Sequence, residues 1–224
     1  MAPRRGIQFI YLHGFSSSPG SNKARVFRER FAERGLPLWV PDLEGNDFQN
    51  LTITRQMDII RRTLEKHRGD GFGLIGSSMG GFLAALAAQI HTEVAAIYLM
   101  CPGFEFVKRW KTRLLKECGE GNAIPDLIPV FNYRYNKTME LNSRIFEDAA
   151  PWEALPLDRR VPTRVVHGVK DETVDISHSR DFAESRPWAS ITELDADHGL
   201  LSHIEWIVAD CLAFFQTHHL LDSG

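Results

Sequence analysis

Ser78 is the one serine with a glycine two residues before it and another two residues after it, Gly76 and Gly80. Leu74-Ile75 precede this Gly-x-Ser-x-Gly corner, and a run of small and apolar residues, Phe82 to Ala88, follows at once. The pattern predicts a strand, a sharp turn with the serine at its apex, and a helix, with the glycines letting neighbouring backbone pass close by. Such a corner presents a hydroxyl as a nucleophile. Glycine-serine turns also serve phosphate-binding loops and plain connectors, so the other parts of the chemistry must be found. A serine hydroxyl is a weak nucleophile near neutral pH. It needs a hydrogen-bonded base, an acid that orients the base, and amide donors for the tetrahedral oxyanion.

Each part has a candidate. His198 follows the last strand-like segment, where its side chain would emerge beside Ser78, and the chain order Ser-Asp-His suits it as base. For the acid, Asp171 in the turn His167-Gly168-Val169-Lys170-Asp171 is preferred, with Asp175, Asp195 and Asp197 as competitors. Asp171 leaves the carboxyl end of a strand, where ligands gather in open α/β sheets, whereas Asp197 adjoins the base and suits a turn cap. The backbone N–H groups of Met79 and Phe15 are the expected oxyanion donors. Gly14 lets the first loop approach, and His13 orders that loop rather than doing chemistry.

The elements that must position these residues are legible as alternation. Ile7–Leu12 reads as a strand buried on both faces. Helical sequence follows from about Lys23 to Arg34, then a strand over Leu36–Asp42 and a polar loop to Leu51. Thr52 or Thr54 caps a helix with Ile53, Met57, Ile60 and Leu64 on its apolar stripe. The elbow strand Phe72–Ser77 and a strand Val94–Cys101 complete three β-α-β repeats, which predicts a mainly parallel sheet of about six strands with helices on both faces. From Phe104 to about Trp152 no strand of comparable quality appears, only a helical piece and an aromatic, proline-broken segment. This stretch, 103–152, reads as a helical cap or lid inserted over the elbow of a single 1–224 domain. The cationic residues of Lys108–Lys116 are expected on its solvated face, opposite Val107, Trp110, Leu114 and Cys118. The alternation then resumes with Pro162–Gly168, a helix over 176–185, a strand over Ser190–Leu194, and a last helix burying Ile207, Cys211 and Phe215.

Bulk properties narrow the function. The 224 residues carry a formal net charge of −3, which lacks the basic footprint of a nucleic-acid binder. The three cysteines are odd in number and form no Cys-x-x-Cys, so neither a disulfide framework nor a metal site is expected. No cofactor is called for either. The N-terminus passes straight into a strand, and no 18-residue apolar run occurs, so a cytoplasmic location without a stable membrane anchor is expected.

At this point the residues resemble the α/β-hydrolase superfamily, since elbow, acid turn, terminal histidine and His-Gly-Phe loop occur in its order. Tyr11-Leu12-His13-Gly14-Phe15-Ser16-Ser17-Ser18-Pro19, Lys23-Ala24, Pro41-Asp42-Leu43 and Leu74 to Phe82 are similar to the small YqiA-type esterases, a group similar also to the abhydrolase thioesterases. The resemblance implies hydrolysis of a small acyl ester or thioester through Ser78, Asp171 and His198, with no metal. Acyl transfer, peptidase chemistry on the same three residues, and a non-catalytic binding protein on the same fold are the alternatives. Dehalogenases and epoxide hydrolases of this superfamily carry aspartate where Ser78 stands.

Overall fold

The computed structural model describes residues 6–119 and 123–221. The N-terminal residues 1–5, used above in expecting no leader, and residues 120–122 and 222–224 lie outside them. Strands β1 (Ile7–Leu12), β2 (Leu38–Trp39), β3 (Gly71–Ser77), β4 (Val94–Met100), β7 (Thr163–Gly168) and β8 (Ala189–Leu194) form a six-stranded sheet in the order β2-β1-β3-β4-β7-β8. Every pairing in it is parallel. The connecting helices are α1 (Asn22–Glu33), α2 (Ile53–Lys66), α3 (Met79–Ile90), α6 (Ser177–Glu184) and α7 (Ile204–Thr217).

Strand periodicity divides the core into two layers. Successive side chains point to opposite faces of a strand. Phe9 and Tyr11 therefore pack with Phe27, Phe31 and Phe215 of α1 and α7, while Ile10 and Leu12 face α2 and α3 through Ile60 and Leu83. β3 and β4 have apolar residues on both faces and are buried almost throughout, as strands between two helical layers must be. Thr52 caps α2 by accepting from the Arg55 amide at 3.1 Å. Thr54 instead accepts from Trp152 Nε1 at 2.8 Å. β2 is shorter than expected, because Pro37 and Pro41 bracket it and neither has an N–H to give a ladder.

The segment between β4 and β7 departs from expectation. It holds α4 (Phe106–Cys118) and α5 (Ile145–Glu153), but also a hairpin of β5 (Leu127–Asn132) and β6 (Lys137–Asn142), so it is not purely helical. Pro129 and apolar residues on both faces of β5 hid the strand. A two-stranded ribbon leaves one edge unpaired, which accommodates a proline. Within α4 the cations are not all outward. Arg109 turns in and donates to the Phe104 and Thr173 carbonyls at 2.8 and 3.0 Å.

The sheet brings its carboxyl ends to one edge, and close backbone packing there depends on glycine. A methyl group on Gly80 would overlap the Leu12 carbonyl, so β1 and the start of α3 meet only with glycine at that position. Gly80→Ala is expected to lower stability by roughly 2–4 kcal/mol. An unchanged thermal midpoint would show that the two segments are not in this contact.

Candidate active site

Ser78 stands between β3 and α3 at φ 55° and ψ −121°, a left-handed conformation that costs a non-glycine residue energy. Its backbone is tied down on both sides. The Ser78 N–H donates to the Met100 carbonyl at 2.9 Å, and the Ser78 carbonyl accepts from the Gly81 and Gly103 amides at 2.9 and 2.8 Å. The α3 axis begins at Met79, whose N–H is therefore one of the unpaired amides at a helix start.

The first loop lies against this corner. A methyl group on Gly14 would sit 3.3 Å from Ser78 Cβ. His13 is buried and fixes the loop. The Leu43 N–H donates to His13 Nε2 at 3.1 Å, so the ring's proton is on Nδ1, which donates to the Gly14 carbonyl at 2.9 Å. Burial, opposed only in part by Gly14 and Asp42, pushes the His13 pKa down and favours this neutral form. Because a trans peptide points its C=O and N–H in opposite directions, holding the Gly14 carbonyl also fixes the direction of the Phe15 N–H.

Asp171 and His198 leave the ends of β7 and β8 and are brought together. His198 Nδ1–H donates to Asp171 Oδ2 at 2.6 Å, which leaves Nε2 with its lone pair. Oδ1 accepts from the Thr173 and Val174 amides at 2.8 and 2.9 Å. Oδ2 also lies 3.1 Å from His167 Nε2, and His167 Nδ1 bonds Ser179 Oγ at 2.7 Å. The loops themselves are stitched together, with Lys170 N–H donating to the Ala196 carbonyl at 3.0 Å. The competing acids are engaged elsewhere. Asp175 caps the Ser177 amide, Asp195 pairs with Lys170, and Asp197 accepts from the Leu200 amide.

His167 is the residue that sequence reasoning did not assign. It reads as a strand terminus, yet its spacing of four residues before Asp171 returns it to that carboxylate across the turn. Cys101 also approaches: ligand atoms of Cys101, Asp171 and His198 all lie within 4.8 Å of one another. Burial first, then the Asp171 charge, push the Cys101 thiol well above its ordinary range. Its proton stays on sulfur, and a protonated thiol is a poor metal ligand.

Ser78 and His198 face one cavity of about 800 Å³. No hydrogen bond joins the Ser78 hydroxyl to the His198 ring among the described residues. Gly14, Phe15 and Met79 line the same space, roofed by Phe106, Trp110, Val130 and Phe131 from the segment between β4 and β7. The Phe15 ring packs edge-on against Trp110 at 5.2 Å between centroids, so this segment touches the first loop directly.

Burial alone would raise the Asp171 carboxyl, but hydrogen bonds from His167 and His198 outweigh it and hold the group well below the usual carboxylate range. A folded-state pKa below the unfolded value of about 3.9 gives stability that is full above that value and lost as pH falls toward the folded one. The difference in unfolding free energy between wild type and Asp171→Asn should therefore be smaller at about pH 3 than at about pH 7 in urea titrations. Equal differences would contradict an ionised, doubly held Asp171.

Residues 8–216 match the uncharacterised protein family UPF0227. The chain is 25% identical to the bovine monoacylglycerol lipase ABHD6, an alignment covering 82% of this chain and 67% of that protein. Among solved structures it resembles Est1E from Butyrivibrio proteoclasticus, with a TM-score of 0.79 at 17% identity, covering 97% of this chain and 90% of that one. Mouse alpha/beta hydrolase domain-containing protein 10 gives a TM-score of 0.79 at 20% identity, over 97% and 91% of the two chains. The chain belongs to UPF0227 and has the fold of the α/β-hydrolase superfamily, of which it is a member. No helix among the described residues is long and apolar enough to cross a membrane.

Proposed function

Taking that membership as premise, we propose that the protein is a serine hydrolase that cleaves small carboxylic esters or thioesters through an acyl-enzyme on Ser78. The observation that carries this reading is the strained Ser78 corner sharing one cavity with His198, whose Nδ1–H is held 2.6 Å from Asp171. The likeness to a monoacylglycerol lipase supports esterase-type chemistry. In this mechanism Ser78 Oγ attacks the acyl carbonyl while His198 Nε2 takes its proton. Asp171 stabilises the imidazolium that forms, and the Phe15 and Met79 amides receive the oxyanion. His198 then returns the proton to the leaving alcohol or thiol. Water, activated by the same base, attacks the acyl-enzyme and releases the acid. No step asks for a cofactor or metal.

Gly76, Gly80 and Gly14 shape this site by letting backbone segments close on the serine. His13 acts on the oxyanion loop through the Gly14 peptide. The 103–152 segment acts as a cap whose aromatic side chains enclose the acyl group.

Ser78→Ala should reduce kcat/KM for 4-nitrophenyl butyrate by at least roughly 10³-fold and abolish labelling by a fluorophosphonate probe. Retained turnover in the folded variant would remove the serine mechanism. The cap reading makes a separate prediction. Each methylene that gains a buried place is worth about 0.8 kcal/mol, or roughly 4-fold in kcat/KM. Across a series of 4-nitrophenyl esters, Trp110→Ala should move the chain-length optimum to longer acyl groups. An unmoved optimum would mean that the acyl chain lies elsewhere.

A further inference from the structure

The cavity is lined unevenly. The segment between β4 and β7 contributes aromatic and aliphatic surface, whereas the first loop and the start of α1 contribute Ser16, Ser17, Ser21, Asn22 and Lys23. Lys23 stands out among the cations there. Arg109 is bonded to two carbonyls, and Arg113 lies 4.2 Å above the Trp110 ring and 3.7 Å from Glu117. The half-buried Lys23 side chain, on the cavity wall, forms no hydrogen bond or ion pair among the described residues. Cys101, Asp171 and Asp197 act on it only through space, and burial outweighs them to push its pKa down.

Two further features line the same cavity. Ser16 is buried at φ 55°, and its hydroxyl has no hydrogen-bond partner. The Ser21 side chain and carbonyl are taken by the Ala24 and Arg25 amides, which leaves the Asn22 and Lys23 amides without a carbonyl partner at the start of a 12-residue helix. A half-buried, unpaired ammonium, an orphan hydroxyl and a helix N-terminus lining one cavity are groups that an oxyanion would satisfy.

We propose that this polar end of the cavity binds a carboxylate or phosphate carried by the leaving alcohol or thiol, within a few bonds of the scissile carbonyl. The inference rests on the serine-hydrolase reading and deepens it, naming the substrate as an acyl ester or thioester of an anionic alcohol or thiol. The acyl chain takes the aromatic surface, Ser78 and His198 line the same cavity, and Lys23 receives the anion.

The test uses butyryl esters of 4-hydroxybenzoate, 4-hydroxyphenyl phosphate and the neutral 4-hydroxybenzamide. The ratio of kcat/KM for an anionic ester to that for the amide should fall about 10-fold or more in Lys23→Met and survive in Lys23→Arg, because the charge-assisted bond is lost in one and kept in the other. Whichever anion shows the fall identifies the group recognised. Ratios unchanged by Lys23→Met for both anions would overturn the proposal. Should that variant fail to fold, wild type decides: 4-hydroxybenzoate should inhibit 4-nitrophenyl butyrate turnover several-fold more strongly than 4-hydroxybenzamide, and equal inhibition would overturn it. A Ser78→Ala protein that kept its activity would remove the hydrolase mechanism alone, since the inhibitor comparison reports binding.

Discussion

Ser78 is held at φ 55° and ψ −121° by four backbone hydrogen bonds, and the surrounding architecture can be understood as what that requires. A left-handed serine costs on the order of 1–3 kcal/mol and persists only where neighbours over-determine it. The donor on one side is Ser78's own amide, bonded to Met100 at the end of β4, and the Ser78 carbonyl is bonded from Gly103 just beyond. The turn after β4 thus clamps the turn after β3. Gly103 itself cannot carry a side chain without crowding the Met79 amide, 3.3 Å from its would-be Cβ. Parallel pairing of β3 with β4 puts those ends side by side, so the sheet's register and the serine's strain are one arrangement.

The same logic extends to the first loop. His13 links two segments distant in sequence, the Gly14 peptide on one side and the Leu43 amide on the other. Around Leu43 the chain is fastened to the β5-β6 hairpin. Arg134 reaches Asp42 at 2.7 Å, the buried Asn132 donates to Glu44 at 2.9 Å, and the Tyr133 amide donates to the Ser16 carbonyl at 3.0 Å. With Phe15 also packed against Trp110, the segment after β4 is coupled to the loop beside the serine through both hydrogen bonds and ring contacts. Displacing the hairpin would therefore disturb the Phe15 peptide as well as open the cavity.

Much of this was legible because glycine and apolar alternation leave local marks. Gly76, Gly80, the apolar run before Ser78 and the small-residue run after it specify a corner without reference to the rest of the fold. The strand ends at Leu12, Ser77, Met100 and Gly168 follow from buried runs stopped by polar or glycine residues, that at Leu194 from a short run stopped by Asp195, and Asp171 and His198 were placed by those ends. What escaped is set by long-range contact. β5 turns Ile128 and the polar Asn132 inward while Leu127 and Phe131 stay substantially exposed, so hydrophobicity does not alternate with its pleat. Arg109 looks like one more solvated cation until the Thr173 carbonyl, 64 residues away, is brought to it.

His167 shows why such residues matter. A carboxylate with a solvent-free side chain, bonded by two backbone amides and the ring of His198, still has acceptor capacity on Oδ2. An unfilled acceptor would leave Asp171 freer to take a proton or swing from the ring. The His167 ring, itself fixed between Ser179 Oγ and the Val174 carbonyl, fills that position from the strand that delivers the acid. The Asp171 carboxylate is thus anchored on the β7 side and offers a fixed face to His198 from β8. The buried histidine that helps fix that face lies outside the cavity lining, and only the folded turn brings it to the carboxylate.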